Sequence, residues 1–216
     1  EYIPRSGGEV KQAITFGLTR GQRKSNAIRR YTIPPPKEKS TRDLYTVEFK
    51  DSICILTLKS FNNSLVEEFD VKPGKVYKEV FKKMEEMDIR HLVVDLRNNK
   101  GGRLEFAEEI VPYIIKDDQG HDFLVRSTSW KGKVREEKIP SPSSHLFWGE
   151  IYVLVNGHTY STAAMIARYL REYGDARIIG EEGGTRYEGF VAGSAEYVNL
   201  PNTGIRIGIP TYHKEF

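Results

Sequence analysis

Two loops of this sequence combine residue types that can attack a carbonyl group and stabilise the charge that results. The first is VNGHTYSTAAMIARYL at residues 155–170, where a strand-like apolar run meets a helix-like one. Ser161 falls near the start of that helix, where the positive end of the helix dipole favours an alkoxide or an oxyanion. Thr159 or Ser161 could equally serve as the N-cap of the helix. From this loop alone, a nucleophile and a cap both remain open.

The second loop is RNNKGG at residues 97–102, which follows the apolar run HLVVDL. Gly101 and Gly102 allow backbone angles closed to other residues and a close approach of the chain to a ligand. Free N–H groups at the start of a helix also bind anionic oxygen well. The alternative is a plain loop before a helix. We predict that Asp95 and Arg97, on either side of the turn, pair with each other or cap local backbone.

The apolar pattern predicts an α/β fold with mostly parallel central strands flanked by helices. HLVVDL (91–96) and IYVLV (151–155) are typical of buried parallel strands. Ligands gather at the carboxyl ends of the strands in such sheets, so we expect the two loops to face each other. The pattern also predicts helices over 73–87, 104–115 (interrupted at Pro112) and 160–173, and strands over 45–49, 53–58, 123–130, 133–139, 176–180 and 203–210.

A change in composition predicts a domain boundary near the N-terminus. IPPPKEKSTRD at 33–43 has three consecutive prolines and a charged run, which favour an extended linker. We therefore expect an N-terminal segment over 1–32, containing a weak strand near 9–20, and a core domain over 44–216. The basic stretch at 20–30 lacks interleaved aromatic residues, which favours a solvated surface over a nucleic-acid site.

The composition is that of a soluble globular protein, with 38% hydrophobic and 29% charged residues. No apolar run approaches the ~20 residues that a membrane helix needs. A net charge of +3 is too mild to indicate nucleic acid as a partner. Cys54, the single cysteine, allows no intrachain disulfide and is expected to pack. Neither a metal-binding motif nor a phosphate-binding glycine loop is present, so we predict no metal and no cofactor.

Taken together, the two loops resemble the tail-specific, or C-terminal-processing, serine peptidase family. LVVDLRNNKGGRLEFAEEIVPYII resembles its central motif of strand, D-L-R-x-N-x-G-G and helix. IYVLVNGHTYSTAAMIARYLREYGDARIIGEEGG resembles its nucleophile segment, in the same order and at the same separation. FVAGSAEYVNLPNTGIRIGIP resembles the strands that follow in bacterial members related to the interphotoreceptor retinoid-binding protein repeats. The resemblance covers about Asp43 to Phe216, while residues 1–32 faintly resemble the tail of a PDZ domain.

This resemblance implies a ClpP/crotonase-like core that hydrolyses peptide bonds, often near the C-terminus of a protein substrate. By position, Ser161 matches the nucleophile. The backbone N–H of Thr162 and one from the Gly101–Gly102 pair match the oxyanion hole. Family members of this kind are usually exported, which implies a periplasmic or cell-surface location.

The general base that a serine hydroxyl needs is not evident in the sequence. One branch of the family keeps a lysine 25 residues after the serine, but that position holds Arg186, which stays protonated. Another branch keeps a histidine in an upstream segment that would precede Glu1. His158 is a weak candidate and is expected to be an exposed loop residue, and Glu181 or Glu182 could orient a partner. His91 is expected at the far end of the sheet, at the start of a strand. The remaining histidines lie in loop-like or terminal stretches: His121, His145 and His213.

Three hypotheses follow for the function. The first is a serine peptidase whose base comes from outside this chain, so that the chain alone shows little or no turnover. The second is a non-catalytic relative that binds peptides or an apolar ligand in the cleft. The third is a crotonase-like enzyme of acyl-CoA chemistry, which also uses paired backbone N–H groups but does not need both motifs together. The first accounts best for the two motifs.

Overall fold

The computed structural model describes residues 39–116 and 123–215 of the chain. The chain divides into two units, Glu1–Glu38 and Lys39–Phe216, and the second contains all of these residues. The predicted N-terminal segment, its strand near 9–20 and most of the predicted linker lie outside the described residues. The end of that linker does not: Thr41–Asp43 form a 3₁₀ helix in the second unit, in which the Asp43 carboxylate accepts from the Ser40 N–H.

A five-stranded central sheet has the order β1-β2-β3-β6-β7. Strands β2, β3, β6 and β7 are parallel, and β1 pairs antiparallel with β2 at the edge. The sheet confirms the predicted α/β fold with a mostly parallel centre. Its strands are β1 (Tyr45–Lys50), β2 (Ile53–Leu58), β3 (His91–Asp95), β6 (Glu150–Val155) and β7 (Arg177–Gly180).

Alternate side chains of β2, β3 and β6 are buried, and they form the sheet's part of the core. Cys54 is one of them and is fully buried, which confirms that it packs in the interior. Burial raises the pKa of its thiol to about 12, so the reactive thiolate is strongly disfavoured. The other fully or nearly fully buried strand residues are Leu56, Leu58, Leu92, Val94, Ile151, Val153 and Val155.

The helices that complete the core follow the predicted apolar stripes, with two differences. Helix α2 (Pro73–Glu86) begins at Pro73 as expected and buries its stripe. Helix α4 (Thr162–Gly174) ends at Asp175, which has a left-handed conformation. The helical stretch predicted over 104–115 is interrupted, as expected at Pro112, but its first part is much shorter than predicted. The stretch splits into α3 (Glu105–Glu108) and a 3₁₀ helix (Val111–Tyr113), because Pro112 has no N–H for a helical hydrogen bond. The short helix α1 (Asn63–Glu68), capped by the Asn62 side chain, was not predicted.

A separate four-stranded antiparallel sheet has the order β5-β4-β9-β8. The predicted strand pair is present as β4 (Val125–Ser129) and β5 (Val134–Glu137). The predicted last strand is longer than expected, β9 (Arg206–Glu215), and pairs with β8 (Gly189–Asn199). The outer part of this hairpin leaves aliphatic side chains exposed, among them Val198, Ile205, Ile207 and Ile209.

Candidate active site

The two predicted loops leave neighbouring parallel strands at the same edge of the central sheet. Asp95, the last residue of β3, is in register with Leu154 near the end of β6. The N–H of Leu96 donates to the Leu154 carbonyl oxygen at 2.9 Å, so the pairing continues past the strand end. The structure therefore brings the glycine loop and the serine loop together, as the strand pattern predicts.

A buried asparagine shapes the glycine loop. Asn99 is fully buried, and its Nδ2 donates to the Leu58 carbonyl oxygen at the end of β2, at 2.8 Å. Its Oδ1 accepts from the N–H of Gly101 at 2.8 Å. The backbone carbonyl of Asn99 accepts in turn from the N–H of Tyr160, at 3.0 Å. One residue thus ties the end of β2, the glycine loop and the serine loop to each other.

The serine loop is held by its own polar side chains. The Thr159 hydroxyl is buried and donates to the Leu96 carbonyl oxygen at 3.0 Å. Asn156 and Asn98 join the two loops, with Asn156 Nδ2 donating to Asn98 Oδ1 at 3.1 Å and Asn156 Oδ1 accepting from the Asn98 N–H at 3.0 Å. Thr159 therefore connects the serine loop to the end of the neighbouring strand and does not cap helix α4.

Ser161 occupies the N-cap position of α4, but its side chain makes no capping hydrogen bond. Its backbone has φ 52° and ψ −125°, a conformation that costs a non-glycine residue about 1–3 kcal/mol. The Ser161 N–H donates to Thr185 Oγ1 at 2.8 Å. Among the described residues the Ser161 hydroxyl has no hydrogen-bond partner. A strained turn that presents an uncommitted hydroxyl favours the nucleophile interpretation over the cap.

Gly101 lies directly against Ser161. Its φ is 80°, and a Cβ built on it would be 2.8 Å from the Ser161 Cβ and 2.9 Å from the Thr162 backbone nitrogen. Any side chain at this position would therefore displace the serine. Gly102 is just as confined, since its Cβ would overlap the Phe61 carbonyl group.

Two backbone N–H groups near Ser161 have no acceptor among the described residues. Thr162 is the first residue of α4, so its N–H has no intrahelical acceptor. The N–H of Gly102 is also without a partner there, whereas that of Gly101 is taken by Asn99. The Thr162 hydroxyl donates to the Gly102 carbonyl oxygen at 2.9 Å, which fixes the orientation of the Gly102 residue.

Asp95 and Arg97 form the predicted pair beside this edge. Arg97 Nη2 lies 2.7 Å from Asp95 Oδ2, and Arg97 Nε donates to Asp95 Oδ1 at 2.9 Å. Burial acts to raise the pKa of Asp95, but the hydrogen bonds and charge of Arg97 outweigh it, and the net shift is downward. The Asp95 carboxylate and the Arg97 guanidinium are therefore paired with each other across the turn.

No titratable side chain bonds to the Ser161 hydroxyl in the described part of the chain. The side chain of His158 is exposed, and its backbone N–H donates to Asn156 Oδ1. Arg186 is exposed in the loop after β7, beside Thr185. His91 lies at the opposite end of the sheet with Glu150, 3.4 Å away, and His145 pairs with Glu85 at 2.6 Å. His213 lies on β9, and His121 lies outside the described residues.

A cavity of about 290 Å³ adjoins the serine loop. Its wall is shared between helix α4, the end of β6 and the loop that joins β7 to β8. Both sides carry charged groups, with Arg168 and Arg171 on the helix and Glu181, Glu182 and Arg186 on the loop. The lining residues also include Thr159, Met165, Thr185, Tyr187 and Phe190.

Thr185 is the contact that the sequence did not reveal. β7 pairs parallel with β6, so the loop after Gly180 leaves the same edge of the sheet as the serine loop. That adjacency was available from the strand order and would have drawn attention to this third loop. For the residues in 39–116 and 123–215, no group of three His, Cys, Asp or Glu side chains is placed to hold a metal ion.

A serine on a strained strand-to-helix turn, next to free backbone N–H groups at the carboxyl edge of a parallel sheet, is an arrangement that serine hydrolases use. Comparison with known proteins gives the family. The chain belongs to peptidase family S41, whose match extends over residues 52–214. The resemblance to serine peptidases expected from the two loops is thereby confirmed.

Sequence relatives agree with this assignment. Two proteins named "probable CtpA-like serine protease", from two strains of Staphylococcus epidermidis, are each 26% identical over 181 residues, which is 81% of this chain and 32% of theirs. The chain therefore spans about a third of the length of these relatives.

Solved structures show the same fold. The photosystem II D1 C-terminal processing protease superposes with a TM-score of 0.51 at 19% identity, over 76% of this chain and 37% of that one. Mature CPAF superposes with a TM-score of 0.51 at 14% identity, over 78% and 45%. None of the helices in the described residues is long and apolar enough to cross a membrane.

Proposed function

We propose that the whole protein is a serine endopeptidase in which Ser161 attacks the carbonyl carbon of a peptide bond. The observation that carries this proposal is the Ser161 hydroxyl, which has no hydrogen-bond partner in the described part of the chain and lies on a strained turn against Gly101 and beside the Thr162 N–H. Membership of peptidase family S41 supports peptides or proteins as the substrates. An acyl-CoA enzyme, the third hypothesis, has no support from the comparisons.

The chemistry would proceed through an acyl-enzyme. Ser161 Oγ bonds to the carbonyl carbon while a base takes its proton. The base then gives that proton to the leaving amine as the C–N bond breaks. A water molecule, deprotonated by the same base, attacks the ester carbon, and the bond from that carbon to Ser161 Oγ breaks as the base gives the proton to Oγ. The N–H groups of Thr162 and Gly102 would stabilise the oxyanion in both halves, each donor being worth about 3–4 kcal/mol in a well-formed hole.

The base belongs to the part of the protein not described by the structure, under this proposal. Arg186 stands where one branch of the family keeps lysine, and a guanidinium does not lose its proton in proteins. The proposal therefore keeps a ClpP/crotonase-like core, an external base and an exported location as its expectations. The domain boundaries at 32 and 43 remain predictions too.

A serine-directed probe tests the proposal on the full-length protein. We expect a fluorophosphonate to label Ser161 and no other residue, as read by peptide mass spectrometry. Ser161→Ala should abolish both labelling and cleavage of a peptide mixture, while Ser143→Ala, a change in a loop outside the site, should leave both intact. Peptide binding without labelling or cleavage by the unaltered protein would support a non-catalytic relative instead.

A further inference from the structure

The loop of residues 181–188, which joins β7 to β8, holds the serine turn at adjacent points. The Gly184 N–H donates to the Thr159 carbonyl oxygen at 3.0 Å. The Ser161 N–H donates to Thr185 Oγ1 at 2.8 Å. Gly184 also lies so close to the Tyr160 ring that a Cβ there would overlap it. These contacts connect the turn to a loop that plays no part in the chemistry proposed above.

The hydrogen bond from Ser161 matters because of the backbone conformation of that residue. The peptide group between Tyr160 and Ser161 is held on both sides. Its N–H donates to Thr185, and its carbonyl oxygen accepts from the Ala163 N–H at 3.0 Å. Beyond Ser161, the carbonyl of this residue accepts from the Met165 N–H and so belongs to helix α4. The peptide plane before Ser161 and the helix after it are therefore both fixed. The Ser161 backbone connects them with a positive φ.

We propose that Thr185 is a positioning residue that keeps the Ser161 backbone in this strained conformation and thereby directs the hydroxyl toward the Thr162 and Gly102 N–H groups. The proposal rests on the peptidase function of Ser161. Without the Thr185 acceptor, the Ser161 N–H would be free to turn and the residue would relax toward an ordinary φ. The hydroxyl would then leave the position from which it attacks.

Thr185 also connects the nucleophile to the neighbouring cavity. It lines the 290 Å³ cavity together with Arg186 and Phe190, while its hydroxyl oxygen accepts from Ser161. A substrate side chain in this cavity would therefore contact the residue that orients the serine.

Three variants of the full-length protein separate this role from a general structural one. Thr185→Val has nearly the same shape but removes the acceptor. Thr185→Ser keeps the acceptor. Glu188→Gln, in the same loop but without a hydrogen bond or ion pair among the described residues, is the control. For each we would measure kcat and KM on a peptide substrate, the rate of fluorophosphonate labelling and the thermal unfolding midpoint.

We expect Thr185→Val to lower kcat and the labelling rate by about 10- to 100-fold, as small misplacements of a reacting group do, with KM changed by less than about 3-fold. Thr185→Ser should recover most of the loss, and Glu188→Gln should match the unaltered protein. If Thr185→Val folds poorly, Gly184→Ala, which pushes the loop off Tyr160, should give the same split between kcat and KM.

Two outcomes would overturn the inference. One is Thr185→Val labelling at the unaltered rate. The other is a loss of activity that Thr185→Ser does not recover and that follows the unfolding midpoint, which would mean a structural role only. Both differ from failure of the peptidase proposal itself, in which Ser161 would be neither labelled nor required for cleavage.

Discussion

At the scale of single residues, the absence of a side chain at Gly101 is as important to the site as the hydroxyl of Ser161. We expect Gly101→Ala to slow labelling of Ser161 by about 100-fold or more, because its Cβ would lie 2.8 Å from the serine Cβ. Gly132→Ala is a matched control. Its φ of 78° nearly equals the 80° of Gly101, but nothing lies within 4 Å of its Cβ position.

Both changes place alanine in a left-handed conformation, which costs about 1–2 kcal/mol in the free energy of unfolding. Gly101→Ala should cost more than Gly132→Ala, because its Cβ also meets the backbone of Tyr160 and Thr162. Only the change at Gly101 should affect the labelling rate, measured by quenching samples in time and quantifying the modified peptide. Equal labelling rates for the two variants would show that Gly101 does not set the position of Ser161.

The sequence and its family resemblance predicted which residues make up the candidate site but not which hydrogen bonds each of them forms. Ser161, Thr162 and the glycine pair were predicted from the sequence and its family resemblance, and the structure brings them together. Only the structure shows that the Gly101 N–H is occupied by Asn99, which leaves Gly102 as the proposed donor. Asn99 and Thr185 act through contacts with residues 41 positions earlier and 24 positions earlier in the chain. Local spacing carries no signal of such contacts.

At the scale of elements, the buried Asn99 side chain connects the end of β2 to the glycine loop that follows β3, and the Asn99 backbone carbonyl connects that loop to the serine loop. Asn99→Leu would leave the Leu58 carbonyl and the Gly101 N–H without their partner in the interior. We expect a loss of about 2–4 kcal/mol in the free energy of unfolding, measured by urea titration, because each such group costs about 1–3 kcal/mol. Asn202→Leu, the same change in an exposed turn, should cost well under 1 kcal/mol. Equal losses in the two variants would contradict the role of Asn99.

The central sheet was predictable because its parallel strands are short continuous apolar runs and its main helices carry an apolar stripe at helical spacing. Three elements were not. Helix α1 has six residues, which is too short for a helical period to emerge. The sequence predicted an interruption at Pro112, which lacks an N–H. It did not predict that helix α3, before that interruption, has only four residues. The apolar pattern did not predict strand β8 or the end of β9 after Pro210. Strand β8 is largely exposed and shows little alternation, and its pairing with β9 joins positions far apart in the chain.

At the scale of the whole molecule, the chain supplies a candidate nucleophile and two candidate oxyanion donors but no base among its described residues. It also spans about a third of the length of its relatives. These two facts are consistent with a catalytic apparatus completed by the rest of the protein. For the 216-residue chain alone we therefore expect peptide turnover at or near background.

The pH dependence of the full-length protein identifies the class of base. If the base is a histidine upstream of this chain, kcat/KM should rise with pH through the pKa of the free enzyme's imidazole, near pH 6.5, because only the neutral ring accepts the serine proton. Arg186 cannot produce such a limb, and Arg186→Gln should leave its midpoint unchanged, which serves as the control. The measurement is kcat/KM on one peptide from about pH 5 to 10. A rise centred above about pH 9, without a limb near neutrality, would contradict a histidine base and indicate an amine in its place.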